Sequence, residues 1–363
     1  MNKPLLLILF ALGLCACQPA AETVIRAHGL EISSRDLAPQ LHLFIYPDYI
    51  EPALLDSFEA IYGVEVIMDY FDTPDALLAK MRAGGTVPYD LIVPADYLVT
   101  ILRKLDLLEP LDTAAIPNLR NLSPRFRHTP YDPGNQYAVC YQWGTTGLGL
   151  RTDLLGGRTP EEMATWRVLF EPGYYTGPLA LLDDPREALG AALRYLGYSY
   201  NDTSAAHLAA ATDLLLRLRP QVKAYNTAST GRDFLVSGET PVVLNHSGDV
   251  WITQQENITY VIPREGSVIW TDNLCIPRGA AHKRTAEVFI NFILDAQNGA
   301  ALTNYTFYAS PNEAALTYIA PEIRTNPMIY PDSATFGRLY YLEDLGEATR
   351  AFSDAWTRVK ASR

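Results

Sequence analysis

Three acidic residues lie close together in the segment LLDDPREALG, residues 181–190: Asp183, Asp184 and Glu187. Carboxylates at this spacing can accept charged hydrogen bonds from a bound cation. The same residues also suit the start of a helix, because Asp184 fits the N-cap and Pro185 the first helical position. Glu187 would then be the reciprocal partner of a capping box. The segment alone leaves capping and ligand binding open.

Four other short segments combine an acidic residue with an aromatic or imidazole ring. They are IYPDY with Tyr46, Asp48 and Tyr49; PADY with Asp96 and Tyr97; HSGDVW with His246 and Asp249; and IWTDN with Trp270 and Asp272. Ring faces attract a cation and its methylene groups, while carboxylates accept its charged hydrogen bonds. Because many buried carboxylates without a cation repel one another, the set is typical of a cage for organic polycations.

The elements predicted around these segments alternate between strand and helix. The first group is strand 41–45, helix 52–63, strand 64–68, a helix capped by Thr73, strand 90–94 and helix 97–104. The second group is strand 178–182, helices 185–197 and 204–218, strand 240–245, helix 249–256 and strand 258–262. An extended run over 268–277 and helices over 280–297 and 300–306 follow. This order predicts two α/β units with mainly parallel sheets, in which ligands bind at the carboxyl ends of strands.

The composition is that of a soluble globular protein large enough for two domains, with 363 residues of which 48% are hydrophobic. A net charge of −12 without any run of Lys or Arg predicts a cationic or neutral ligand and no nucleic-acid partner. The chain has no GxSxG, HExxH or phosphate-loop motif, so we predict no cofactor and no metal. Cys140 and Cys275 lack zinc-ligand spacing; buried thiols are the default prediction, and a disulfide stays open.

The N-terminus MNKPLLLILFALGLCAC has the layout of a secretory signal, with an apolar stretch too short to span a bilayer. LCAC resembles a bacterial lipoprotein box. Residues 1–16 are therefore predicted to be removed, and Cys17 to carry the lipid that anchors the protein in the periplasm. Simple cleavage further along the chain is the alternative. Residues 17–39 show no strong periodicity and are predicted to form the lipidated N-terminus and a tether.

The five acidic segments, in this order, resemble those of the periplasmic polyamine-binding proteins of bacterial ABC importers, the putrescine- and spermidine-binding family. The similarity extends from about residue 41 to the C-terminus and includes YDLIVP, WGTTGLG, LGYS, SGDVW, FYASPN and AWTRVK. The resemblance implies an α/β fold of two lobes, each a mainly parallel sheet flanked by helices, joined by crossing hinge strands. It implies lobe 1 at 40–143 and 273–340, lobe 2 at 144–272, and a C-terminal segment, 341–363, packed on the lobes.

The resemblance also implies which residues bind the ligand. They are Tyr46, Asp48, Tyr49, Tyr97, Asp184, Glu187, His246, Asp249, Trp270, Asp272 and Tyr308. Asp272 matches the family's principal amine-binding aspartate. Tyr46 and His246 each stand where the family usually has a Trp, so two walls of the cage are smaller and more polar.

The residues that bear on ligand length point in two directions. Asp184, Tyr97 and Trp270 are similar to those of spermidine binders. Asp48, Asp249 and Leu342 are closer to those of the putrescine binder. Because a triamine neutralises more carboxylates than a diamine, spermidine is slightly favoured. The implied function is a lipid-anchored solute-binding protein that delivers a polyamine to an inner-membrane ABC permease. A polyamine-sensing subunit of a membrane signalling protein and a hydrolase that uses paired carboxylates are the alternatives.

Overall fold

The structure, a computed structural model, describes residues 23–83 and 88–362. The predicted signal peptide and Cys17 lie outside the described residues. The strands are β1 Val24–Ala27, β2 Leu30–Ser33, β3 Gln40–Ile45, β4 Glu65–Tyr70, β5 Leu91–Ile92, β6 His128–Thr129, β7 Asp132–Pro133, β8 Ala138–Arg151, β9 Leu179–Leu182, β10 Val222–Asn226, β11 Val242–His246, β12 Ile258–Val261, β13 Ser267–Cys275 and β14 Leu339–Tyr340. The α-helices are α1 Pro52–Tyr62, α2 Pro74–Arg82, α3 Asp96–Lys104, α4 Pro124–Arg127, α5 Pro160–Met163, α6 Arg167–Phe170, α7 Pro185–Tyr195, α8 Ala205–Leu218, α9 Ala228–Ser237, α10 Ser247–Trp251, α11 Lys283–Ile293, α12 Ala296–Thr306, α13 Pro321–Arg324, α14 Ser333–Phe336 and α15 Ala348–Ala361.

Two parallel groups of strands are joined by two long antiparallel strands. The hydrogen-bonded order is β10-β9-β11-β8-β13-β5-β3-β4, with β12 beside β8 and β14 beside β13. Strand β9 runs parallel to β10 and β11, and β3 runs parallel to β4 and β5. Between these groups β8, of 14 residues, pairs antiparallel with β13, of 9 residues. This topology confirms the predicted two-lobed α/β fold with crossing strands.

Each parallel group has its own hydrophobic core. One core contains Leu41 of β3, Phe58 of α1 and Phe289 of α11, all fully buried. The other contains Leu189 of α7 and Phe352 of α15, so the C-terminal helix packs on the lobe of β9 and β11. Separate cores on either side of two crossing strands are the arrangement that permits hinge motion of one lobe against the other.

The N-terminal residues 24–33 form a β-hairpin where the sequence analysis predicts a tether. Strands β1 and β2 pair antiparallel, and His28 and Gly29 make the turn with φ values of 50° and 76°. The side-chain amides of Asn118 and Asn291 donate to the His28 carbonyl oxygen at 3.3 and 2.9 Å. The hairpin is therefore held by partners distant in sequence, which local periodicity does not reveal.

Two helix boundaries also differ from the prediction. Helix α10 ends at Trp251 rather than continuing to residue 256, because Gln254 adopts a left-handed conformation with φ of 51°. The predicted helix over 280–297 is divided, since the Asp295 side chain caps α12 by accepting from the backbone N–H groups of Gln297 and Asn298.

The two cysteines of the described part, Cys140 and Cys275, are buried free thiols, as the default prediction stated. They lie on the neighbouring crossing strands β8 and β13. Within residues 23–83 and 88–362, no helix has the length and apolar character needed to cross a bilayer.

Candidate ligand-binding site

Asp272 lies on crossing strand β13, and its carboxylate is at the centre of the site. Its side chain accepts a hydrogen bond from the hydroxyl of Tyr49, which follows β3, at 2.7 Å. The residue is only 8% exposed. Burial raises the pKa of Asp272 to about 7, while the Tyr49 hydroxyl partly opposes the shift. A positive group beside this carboxyl would favour its ionised form.

A row of aromatic rings runs from Tyr49 across both lobes. The Tyr49 ring meets those of Tyr46 and Tyr308 edge to face, with centroid distances of 5.8 and 5.6 Å. The Tyr308 ring meets that of Trp270 at 5.1 Å, and His246 lies 5.2 Å beyond Trp270. Such a row offers ring faces and edges to the methylene groups and charges of an organic cation.

Two glycines make room for these rings, and the sequence analysis did not single them out. A Cβ atom on Gly144 of β8 would come within 2.4 Å of the Trp270 ring. A Cβ atom on Gly248 of α10 would come within 2.5 Å of the Tyr308 ring. Both glycines belong to motifs that carry the family resemblance, WGTTGLG and SGDVW, so a close ring contact explains part of those motifs.

Asp249 and His246 approach the ring row from the start of α10. The Tyr308 hydroxyl donates a short hydrogen bond to Asp249. Phe307, in a left-handed conformation with φ of 61°, ends α12 directly before Tyr308. Burial lowers the pKa of His246, although Asp249 and Asp184 oppose that shift, so the imidazole is neutral at neutral pH.

The three acids of LLDDPREALG have three different roles. Asp184 caps α7 by accepting from the backbone N–H groups of Arg186 and Glu187, at 2.7 and 3.2 Å. Asp183 points elsewhere, accepting from the indole N–H of Trp356 at 2.8 Å and pairing with Lys360 at 2.6 Å. The first acid therefore fastens the C-terminal helix, and the second acts as a helix cap.

Glu187 does not complete the predicted capping box. Its carboxylate instead accepts a hydrogen bond from the Thr146 hydroxyl on β8, at 2.8 Å. Burial, followed by the charge of Asp184, raises the pKa of Glu187 to about 8. Burial also raises the pKa of Asp184, against the two backbone donors. Capping by Asp184 is thus compatible with a second role for both carboxyl groups toward a ligand.

Asp96 is an acid of the cluster that the predicted site set does not include. It is 2% exposed and accepts from the backbone N–H groups of Tyr97 and Thr271, at 2.7 and 3.3 Å. Burial raises the pKa of Asp96 to about 8, and Asp272 adds to the shift. Burial raises the pKa of Tyr97, and the charges of Asp184 and Asp96 add to this shift. In the sequence, the position of Asp96 in PADY, between a strand end and a helix start, could have identified it as a site residue.

Asp48 is the predicted acid that the structure does not bring into this hydrogen-bonded cluster. It is exposed, in the turn after β3, with φ of 55°. Tyr46, two positions earlier, is half-buried and packs on the Phe71 ring at 4.2 Å. A contact between Asp48 and a ligand therefore stays a prediction.

Five carboxyl groups thus lie among aromatic rings at the junction of the two lobes: Asp96, Asp184, Glu187, Asp249 and Asp272. No set of three or more His, Cys, Asp or Glu side chains within residues 23–83 and 88–362 is arranged to hold a metal ion. The arrangement suits recognition of an organic cation by charge and ring contact. Fold and site together define a two-lobed solute-binding protein.

The family match agrees with this class. Residues 53–330 match the family described as bacterial extracellular solute-binding protein, and this chain belongs to that family. Its members bind solutes, so the chain is a binding protein and not an enzyme.

Two curated relatives and one solved structure are similar over most of the chain. The spermidine/putrescine-binding periplasmic protein of Escherichia coli is 31% identical over 93% of this chain and 96% of its own length. The putrescine/cadaverine-binding protein of Pseudomonas aeruginosa is 35% identical over 89% of this chain and 94% of its own. The spermidine/putrescine ABC transporter substrate-binding protein of Streptococcus pneumoniae has a TM-score of 0.79 and 31% identity, covering 89% of this chain and 99% of its own.

Proposed function

We propose that this protein captures a polyamine between its two lobes and delivers it to an ABC permease in the inner membrane. The observation that carries the proposal is the set of five buried or half-buried carboxyl groups among aromatic rings. Burial raises the pKa values of four of them, Asp96, Asp184, Glu187 and Asp272. A ligand with several ammonium groups would restore their ionised forms, because opposite charges nearby favour the charged state.

The contacts of each side chain support the proposed roles within the site. Asp272 binds one ammonium group, and the Trp270 ring covers the adjoining methylene groups. Asp184 and Glu187 bind an ammonium group at the other end, near the start of α7. The full proposed ligand-binding set is Tyr46, Asp48, Tyr49, Tyr97, Asp184, Glu187, His246, Asp249, Trp270, Asp272 and Tyr308. The printed names of the relatives from Escherichia coli and Pseudomonas aeruginosa support a polyamine as ligand.

Spermidine is the ligand that the charges slightly favour over putrescine. The space between the lobes that the five carboxyl groups border is the proposed binding cleft. A diamine leaves more of the cleft carboxylates without a partner than a triamine does, and unpaired buried carboxylates are unfavourable. The test is a thermal-shift comparison of spermidine, putrescine and cadaverine at equal free concentration, since a ligand raises the melting temperature according to its affinity. We expect the largest shift with spermidine. A larger shift with putrescine would reverse the preference, and no shift with any amine would refute polyamine binding.

The lobe boundaries proposed are residues 40–143 and 273–340 for lobe 1 and 144–272 for lobe 2, with 341–363 as the C-terminal segment on the lobes. The two separate cores support this division. Both boundaries fall within the crossing strands β8 and β13, which are the segments expected to bend when the lobes close on a ligand.

The proposal includes a lipid anchor at Cys17, supported by the LCAC motif after the apolar stretch. Acyl chains on Cys17 would hold the protein at a membrane surface in the periplasm. Cys17→Ser should therefore release protein into the soluble fraction or leave unprocessed precursor. Membrane fractionation identical to that of the wild type would contradict lipidation at this residue.

A further inference from the structure

Arg186 is a buried cation at one end of the acidic cleft. It lies in the first turn of α7 between Asp184 and Glu187 and is only 7% exposed. Its Nη1 and Nη2 atoms donate to the Glu343 carbonyl oxygen and to Oδ1 of Asn201, each at 2.8 Å. The guanidinium also lies over the Phe352 ring, 5.5 Å from its centroid. Hydrogen bonds to the C-terminal segment and to the turn after α7 therefore hold the Arg186 side chain in position.

The charge of Arg186 acts on one end of the cleft. It favours the ionised forms of Asp184, Glu187 and Asp96, lowering the pKa of each against the effect of burial. The Asp272 carboxyl, in contrast, is governed by burial and by the Tyr49 hydroxyl. The two terminal nitrogens of Arg186 donate to neutral acceptors, so no carboxylate hydrogen bonded to them neutralises its charge.

We infer that Arg186 is a specificity-determining residue that limits how many ammonium groups the α7 end of the cleft accepts. This inference rests on the proposed polyamine function. Two carboxyl groups, Asp184 and Glu187, beside one fixed guanidinium attract an ammonium group less strongly than the same two would alone. Arg186 repels an additional ammonium group at this end, so it lowers the ratio of triamine affinity to diamine affinity.

The test measures the ratio of spermidine affinity to putrescine affinity by calorimetry at neutral pH and fixed ionic strength. Arg186→Gln removes the charge and leaves a polar side chain in its place. We expect this ratio to rise roughly fivefold, as for the loss of one partly screened charge contact. Arg186→Lys keeps the charge and should keep the wild-type ratio.

Arg194→Gln is the matched control on the same helix. Arg194 lies in the last turn of α7 and donates to the carbonyl oxygens of Glu265 and Tyr198. Its replacement removes the same charge from α7 outside the cleft and should leave the affinity ratio unchanged. An equal rise of the ratio in Arg194→Gln would contradict a specific role for Arg186.

Asn201→Asp keeps the inference testable if Arg186→Gln does not fold. This replacement leaves Arg186 in place and puts a negative charge on the oxygen that accepts from its Nη2 atom. The ratio of spermidine to putrescine affinity should again rise, by less than in Arg186→Gln. An unchanged ratio in either folded variant would overturn the inference. Failure of the wild type to bind any amine would instead refute the proposed function.

Discussion

The two ends of the cleft stabilise their carboxyl groups by different means. At one end, Asp272 has a tyrosine hydroxyl as hydrogen-bond donor and aromatic rings as neighbours. At the other end, Asp184 accepts from two backbone N–H groups at a helix start, and Glu187 accepts from the Thr146 hydroxyl. Arg186 adds a fixed positive charge at this second end only.

This difference indicates a division of roles between the ends. The backbone groups and dipole of α7, together with Arg186, partly offset the effect of burial on Asp184 and Glu187. Asp272 has one hydroxyl donor and no guanidinium to offset its burial, so a bound ammonium group is its main counter-charge. We therefore expect the Asp272 end to determine overall affinity and the α7 end to distinguish ligands by length and charge.

The largest effect is expected at Asp272. Asp272→Asn keeps the size of the side chain but removes its charge. Every amine should bind more weakly, by at least the roughly 1.5–3 kcal/mol typical of a charged hydrogen bond. Calorimetry with spermidine and putrescine measures this loss.

Asp69→Asn provides the control for that variant. Asp69 also accepts from a tyrosine hydroxyl, that of Tyr89, at 2.5 Å, but it is exposed and outside the ring row. Its replacement should not change amine affinity. Near-native affinity in Asp272→Asn would remove the proposed anchor.

A smaller and more selective effect is expected at Asp184. Asp184→Asn removes the charge but retains a good N-cap side chain, so α7 should stay stable. Spermidine should lose roughly tenfold in affinity and putrescine distinctly less, because a longer ligand depends more on this end. Parallel titrations with the two amines measure the difference.

Asp183→Asn is the neighbouring control. Asp183 binds Trp356 and Lys360 rather than facing the cleft, so this variant should lose some stability and keep both amine affinities. Equal losses of spermidine and putrescine in Asp184→Asn would contradict a selective role for the α7 end.

The smallest effect is expected from Tyr308→Phe. The ring that contacts Tyr49 and Trp270 remains, and only the hydroxyl that donates to Asp249 is lost. Amine affinity should fall by roughly two- to fivefold, the usual size of one hydrogen bond between side chains. A loss larger than that in Asp272→Asn, measured by the same titration, would contradict the role of Asp272 as the main anchor.

The architecture was predictable because its signals are local. Pro52 at the first position of α1 and left-handed Gly63 after it, with φ of 68°, bound the first helix as the sequence indicates. The cap of Asp184 on α7 was visible for the same reason. The docked hairpin over 24–33 was not, because asparagines far along the chain hold it.

The site was predictable only in part. Acidic and aromatic residues after strands identify most of the cluster, since parallel strands bring their carboxyl ends to one edge. The roles of Asp96 and Arg186 depend on burial and on partners such as Thr271 and Glu343, which no local pattern specifies. The predicted capping box was wrong because the Glu187 carboxylate accepts from the Thr146 hydroxyl on a crossing strand, not from the backbone N–H of Asp184.

The pH dependence of binding has a definite sign. Burial raises the pKa values of Asp272, Glu187 and Asp96 to about 7, 8 and 8, so these groups take up protons as the pH falls through the neutral range. Their raised pKa values stabilise the unliganded fold at low pH, and this contribution is lost as the pH rises toward 8. A bound polyamine favours the carboxylates, so its affinity should increase over the same range.

Proton release on binding is the most direct test of a polyammonium site. Spermidine is titrated into the wild-type protein at neutral pH in buffers with different heats of ionisation. We expect binding with a net release of roughly one to two protons, as the cleft carboxyl groups ionise beside the ligand. Binding without proton release would contradict the charge assignment of the cleft, and the absence of binding would contradict the polyamine function itself.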